Sequence, residues 1–307
     1  MANQRASNAD SVLSNDIIII EKMPKVELHV HLEGSVQPQT LLKLAERHNV
    51  ALPTDNLEGL REWYTFRDFN HFLEIYMTIS SCLRTVEDIE LITREFLVGQ
   101  AAQNIAYSEV TFTPYNQYLT NQLGFHEQMD AINRAREWGE KELGVRMGII
   151  MDIPRQITPT EGNIIANWAI ERYGDGLIAF GLGGPESGNP PQKFQSAFDR
   201  VRTAVIPCVL HAGETAGAAS IWNAIKVADS QRIGHGVRAV EDKSLMDYLR
   251  DRQIPLEVCP SSNICLKVFP SLSEHSLPQL LEQGLYVTIN SDDPPMFNTT
   301  LTKEYLM

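Results

Sequence analysis

Short apolar, β-rich runs alternate with longer stretches of helical periodicity along almost the whole chain, and that alternation leaves few folds open. The runs are Lys25–Leu32, Ala106–Thr113, Val145–Ile153, Leu177–Leu182, Val205–Leu210, Arg232–Gly236, Pro255–Cys259 and Leu285–Asn290. Between them lie helical patterns such as Phe69–Leu83, Val86–Gln100, Glu127–Leu143, Ala216–Val227 and Val240–Asp251. Strand followed by helix, repeated, argues for a parallel sheet. Eight such runs predict a closed α/β (β/α)8 TIM barrel, a fold of about 250 residues; an open doubly wound sheet is the alternative. No linker or charge run divides the chain. Residues 24–307 are therefore expected to form one catalytic barrel, preceded by a polar, helical extension at 1–23. Beyond the eighth run only Pro294–Met307 remain, enough to begin a helix but not to finish a ring of eight. The last helix is expected to be truncated, or its place taken by an earlier element.

Composition narrows the class of ligand. A net charge of −13 sets up an acidic surface field that discourages polyanions, so no nucleic-acid partner is expected. Ile17–Ile20 is the only apolar run near the polar N-terminus, far short of the ~20 residues a membrane span needs. Cys82, Cys208, Cys259 and Cys265 show no CxxC pairing and read as buried thiols of a reducing compartment, with the cytoplasm as default. Gly181–Gly184 reads GLGG, but Pro185 and Glu186 follow, so the spacing of a dinucleotide loop is missing.

Chemistry-bearing residues gather where the strands end. Alternation in Lys25–Leu32 puts Glu27, His29 and His31 on one face and Val26, Leu28, Val30 and Leu32 on the other. The apolar set suits packing against outer helices, which turns the two histidines into the barrel. The fifth run ends at His211, with Glu214 three residues on. The sixth ends in Gly234-His235-Gly236, and the eighth in Ser291-Asp292-Asp293-Pro294. Each has an ordinary explanation: a core histidine, a first-turn carboxylate, a turn before proline. Together they put three imidazoles and a carboxylate at one mouth, where barrel enzymes keep their sites. That nitrogen and oxygen set suits zinc with a position left open.

The motifs PKVELHVHLEGS, LHAGE, RIGHG, LEVCPSSN and TINSDDPP, in that order, closely resemble the adenosine deaminase branch of the amidohydrolase superfamily, over about Pro24 to Tyr305. The resemblance implies one Zn2+ per chain held by His29, His31, His211 and Asp292. It implies Glu214 as the acid/base residue and His235 as the histidine that holds the attacking water. It further implies Asp293 facing purine N7 and Gly184 meeting N3 through its backbone N–H. The implied reaction is hydrolytic loss of the 6-amino group of a purine nucleoside, adenosine or 2′-deoxyadenosine. Zinc lowers the pKa of a bound water from ~15.7 to about 7, and the reaction needs no organic cofactor.

Two local departures bear on the substrate. Glu33 stands where vertebrate-type members carry Asp, at the residue that contacts the ribose end. The Gly184 loop reads GLGGPE rather than the Asp-containing version. Both resemble bacterial relatives, some of which act on adenosine and some on 6-amino-6-deoxyfutalosine, a nucleoside of menaquinone biosynthesis bearing a benzoate. Relatives acting on free adenine carry a Ser-Ser-Glu-like loop that GLGGPE does not match. A carboxylated substrate needs a cation, and Arg155 or Arg67 is expected at the mouth for that role. Phe66 and Phe69, in the aromatic segment Trp63–Tyr76, are candidate substrate contacts, while Phe72 and Tyr76 are expected in the helix core. An amidohydrolase acting on an amide, ester or pyrimidine, and a catalytically silent or truncated relative, are the remaining alternatives. Oligomeric state is open.

Overall fold

The computed structural model describes residues 16–65 and 67–307. Eight strands form one parallel sheet in sequential order: β1 (Lys25–His31), β2 (Ile105–Phe112), β3 (Arg146–Pro154), β4 (Leu177–Gly183), β5 (Cys208–Ala212), β6 (Arg232–His235), β7 (Leu256–Val258) and β8 (Val287–Ile289). The ring closes just past β8, where Val30 and Asp292 pair in parallel. There the His31 N–H donates to the Asp292 carbonyl at 2.9 Å, and the Asp292 N–H to that of His29 at 3.1 Å. The architecture is the expected (β/α)8 barrel.

Helices wrap the ring because each has one apolar face to bury. Val86–Ala102 opens on a capping box of Thr85 and Asp88, and Pro159–Arg172 on one of Thr158 and Glu161, which satisfies backbone donors at the helix start. Leu97, Ile132, Ile165 and Phe198 are fully buried between helices and strands, each contributing roughly 1.5–3 kcal/mol of apolar burial. Short helices at Leu57–Tyr64, Pro114–Asn121 and Pro260–Cys265 were not expected from periodicity. They are one to two turns long, too short to show a period. Of the N-terminal extension, residues 16–22 are helical and 1–15 lie outside the described residues. After β8 the chain forms a helix over Leu301–Leu306. Among the described residues no helix is long and apolar enough to cross a membrane.

Three expectations need correction. β5 begins at Cys208 rather than Val205, because Val205 is 79% exposed with a left-handed φ of 59°. Cys265 is exposed, while the other three cysteines are buried. The third concerns β1. Its register against β2 jumps between Glu27 and Val30, where the Leu28 and His29 N–H groups both donate to Asn290 Oδ1 at 2.8 and 3.1 Å. That bulge breaks the two-residue alternation. Glu27 therefore faces outward, accepting from Gln100 of an outer helix and from Ser291, while His29 and His31 face the barrel.

Candidate active site

His29, His31, His211 and Asp292 meet at the C-terminal rim of the barrel. His31 Nε2 lies 3.1 Å from His211 Nε2, and Asp292 Oδ1 lies 3.3 Å from His31 Nε2 and 3.6 Å from His29 Nε2. Donors sharing one tetrahedral ion at roughly 2.0–2.1 Å stand about 3.3 Å apart. His29 Nε2 is buried with no hydrogen-bond partner, an arrangement that a bound cation explains and packing does not. The residues fit a divalent metal ion. Donor atoms within 4.8 Å of one another fall into two groups that share Asp292, one of His29, His211, His235 and Asp292 and one of His31, Asp292 and Asp293, so His235 stands beside the same point.

Close approach around the ion site depends on glycine and on strained backbone. A Cβ on Gly234 would lie 2.7 Å from His29 Cε1, and one on Gly34 would lie 1.6 Å from Asp293 Oδ1. His235 and Asp292 themselves have left-handed φ values of 62° and 64°, a cost that folds tolerate chiefly at functional sites.

Protonation states follow from burial and neighbouring charge. Burial opposes a charge on His29 and His31, but the Asp292 carboxylate outweighs it, with Glu257 acting on His29 and Asp293 on His31. Their pKa values rise to about 10 and about 9. The negative potential that holds those protons is the one a divalent cation would meet by displacing them. Burial pushes Glu214 well above the ordinary carboxylate range, reinforced by the charges of Asp292 and Glu186. Asp293 is likewise raised by burial and by the Asp292 carboxylate. In both, the surroundings favour the protonated, uncharged form. Burial holds His235 neutral, at about 3.

These groups open into a cavity of about 310 Å3. It is lined by His31, His211, His235, Glu214, Asp292 and Asp293, by Gly184 and Gln156, and by Phe69, Phe72, Leu73, Tyr76 and Met77. Asp293 Oδ1 is buried there without a partner. A compact apolar slot over converging polar groups is the form of a small-molecule site.

The adenosine deaminase family model matches residues 24–307. The chain belongs to the adenosine deaminase family. It is 40% identical over 291 residues to an aminodeoxyfutalosine deaminase of Streptomyces avermitilis, covering 93% of this chain and 80% of that one. It is 39% identical over 286 residues to an adenine deaminase of Pseudomonas putida, covering 93% and 90%. The crystal structure of adenine deaminase from Arthrobacter aurescens superposes with a TM-score of 0.87 at 32% identity, over 92% of this chain and 86% of that one. Members of this family are metal-dependent deaminases, and the chain is a deaminase of that kind.

Within this family site, several expected contacts fall elsewhere. Glu33 does not line the cavity. It is fully buried, accepting from the Thr113 N–H at 3.1 Å and from Gln117 at 3.5 Å, and burial lifts it to about 7. Arg155 is 1% exposed and does not line the cavity, donating to the Asn189 carbonyl at 2.7 Å and the His211 carbonyl at 2.5 Å. Arg67 is exposed. Phe72 and Tyr76, expected in the helix core, do pack against the core and also line the cavity, with Phe72 stacked on Phe297. Phe69 lines it too, and Phe66 lies outside the described residues. Glu214 precedes the helix Ala218–Ala228 rather than opening it.

The sequence reading passed over Glu186. Its buried carboxylate accepts from the N–H groups of Gly213, Glu214, Thr215 and Ala216 at 2.7, 3.1, 2.9 and 2.9 Å, and from the Ser220 hydroxyl. It thus staples the β5 loop that carries Glu214 to the loop that carries Gly184. The signal was the acidic residue closing GLGGPE, a loop read for its dinucleotide spacing and its bearing on the substrate but not for that carboxylate. Asp152, also passed over, lines the cavity and accepts from the Thr113 hydroxyl at 2.6 Å.

Proposed function

We propose that the chain hydrolyses the 6-amino group of an uncharged purine nucleoside, adenosine or 2′-deoxyadenosine, releasing ammonia, with Zn2+ held by His29, His31, His211 and Asp292. The observation that carries this is one cavity lined both by His31, His211 and Asp292 of that donor set and by two buried carboxyls, Glu214 and Asp293, whose surroundings favour the protonated form, with Asp293 Oδ1 left without a hydrogen-bond partner. A bound zinc ion supplies a water-derived nucleophile at neutral pH.

The chain's own residues do the rest. Glu214 gives its proton to ring N1, which makes C6 electrophilic. As oxygen adds to C6, the Glu214 carboxylate takes the proton that oxygen sheds and hands it to N6. The C6–N6 bond breaks, ammonia leaves, and the remaining hydroxyl proton returns to Glu214 as C6 becomes a carbonyl. His235 orients the attacking oxygen. Asp293 donates its carboxyl proton to N7, an acceptor that an ionised carboxylate would repel. Gly184, at a φ of 91°, brings backbone against the base edge with no Cβ between them. Phe69, Phe72 and Met77 cover the sugar or base.

Charge selects against an anionic substrate. Among the described residues that line the cavity none is Lys or Arg, so no side chain there offers an anionic substrate a counter-ion. A benzoate would find no counter-ion there, since both Arg155 hydrogen bonds go to backbone carbonyls. Side-by-side turnover of adenosine, 2′-deoxyadenosine, adenine and 6-amino-6-deoxyfutalosine tests this. The two nucleosides should give the highest kcat/KM; preference for adenine or for the carboxylated nucleoside would reassign the substrate while leaving the deaminase chemistry standing.

A further inference from the structure

Behind His235 runs a line of hydrogen bonds that begins at a backbone amide. The Leu277 N–H donates to His275 Nδ1 at 2.9 Å. His275 Nε2 lies 3.1 Å from Asn263 Oδ1, and Asn263 Nδ2 lies 3.3 Å from His235 Nδ1. His235 Nε2 then points into the rim cluster, 3.7 Å from Glu214 Oε1 and 3.9 Å from Asp292 Oδ2. Asn263 is fully buried, His275 is 6% exposed and His235 is 1% exposed, so water does not compete along the line.

We propose that Asn263 and His275 are positioning residues that lock His235 as the neutral tautomer with its proton on Nε2. A backbone amide can only donate, so His275 Nδ1 must offer its lone pair and the His275 proton must be on Nε2. That N–H needs an acceptor, which turns the Asn263 carboxamide oxygen toward it. The Asn263 NH2 is left facing His235 Nδ1, which must accept, and the one remaining ring proton of His235 goes to Nε2. Each link fixes the next, so the polarity of a main-chain group between β7 and β8 is carried to the catalytic rim. An Nε2–H is what orienting a nucleophilic oxygen requires, because that oxygen offers a lone pair. The opposite tautomer would set two lone pairs against each other. The link to catalysis rests on the placement of His235 in the proposed reaction; the tautomer itself does not depend on the substrate.

Two substitutions of nearly unchanged shape reverse the line. In Asn263→Asp the carboxylate can only accept, so His235 Nδ1 must take up a proton. In His275→Glu the acceptor forces Asn263 to turn over and present its oxygen to His235, with the same result. His275→Gln keeps an acceptor and a donor in order and should preserve function. Two-bond 1H–15N correlation spectra of the zinc-loaded enzyme, labelled at histidine nitrogens and assigned by a His235 variant, read the tautomer directly. The wild-type protein should show His235 protonated at Nε2 and bare at Nδ1. Asn263→Asp and His275→Glu should gain the Nδ1 proton and lose kcat by about 10²–10³-fold, the loss seen when one preorganised donor is removed. KM and zinc content should hold. The wild-type spectrum decides even where a variant fails to fold: a proton on His235 Nδ1 overturns the lock. So does full kcat in Asn263→Asp, or a loss in His275→Gln equal to that in His275→Glu. A changed substrate preference would leave the spectra untouched.

Discussion

The barrel interior holds two polar layers that look alike in sequence and differ in what they lack. In the deeper layer, Arg232 pairs with Glu109 and Glu257, Tyr107 donates to Glu109 at 3.1 Å, and Glu257 meets His29 Nδ1 at 2.9 Å. Its charges have protein partners; burial opposes charge on Arg232 and Glu257, yet pairing holds Arg232 above and Glu257 below their ordinary pKa values. At the rim, His29 Nε2 and Asp293 Oδ1 are buried without partners. Burial and the neighbouring Asp292 carboxylate push Glu214 and Asp293 toward the protonated form. His29 spans both layers, one nitrogen answered by the protein and the other left for a ligand. Buried charge that balances internally is structural; buried valence left open marks a site.

Substitutions that act on one layer only would break or sharpen this contrast. Glu214→Gln should lower turnover by about 10²–10⁴-fold, the contribution of a positioned acid/base group, while elemental analysis finds the metal retained. A rate near wild type would remove Glu214 from the chemistry. Arg232→Met leaves Glu109 without its cation and Glu257 with His29 alone, and should lower unfolding free energy by about 3–5 kcal/mol, read by denaturant titration. Little change would mean that layer is not what holds the barrel floor.

Glu33 gives a pH signature. Its pKa is about 7 in the fold against an ordinary 4.5, so between those values the folded state binds more protons than the unfolded one. Its contribution is complete below pH 4.5 and is lost as pH rises through 7, a span worth about 3 kcal/mol. Melting curves of Glu33→Gln should fall less than those of wild type across that window; parallel curves would mean Glu33 is ionised when folded. The smallest effect is expected from Glu186→Ala. It strips four backbone donors of their acceptor, costs about 1–3 kcal/mol of stability, and lowers kcat more than it raises KM as the Glu214 loop loosens.

Much of the site was legible because its residues end strands. Strand order fixed where His29, His31, His211, His235 and Asp292 would converge, and the barrel followed from alternation alone. What stayed hidden depends on contacts that no periodicity encodes. Glu27 left the predicted face because Asn290, more than 250 residues later, plugs a bulge in β1. Arg155 could be placed near the rim but not oriented, since two backbone carbonyls claim its guanidinium. Asn263 lay in a helix too short to show a period and His275 in a loop, and Phe72 lines a cavity as well as packing on the core. Main-chain polarity and side-chain direction become visible only once the ring is closed.

The central claim is that four distant residues share one metal ion and that the ion is required for deamination. Chelator-stripped protein titrated with zinc, with ammonia release from adenosine followed at each step, tests it most directly. Activity should rise from near zero to a plateau at one ion per chain, and Asp292→Ala should show neither tight binding nor recovery. Full turnover in the stripped protein, or undiminished zinc affinity in Asp292→Ala, would contradict it.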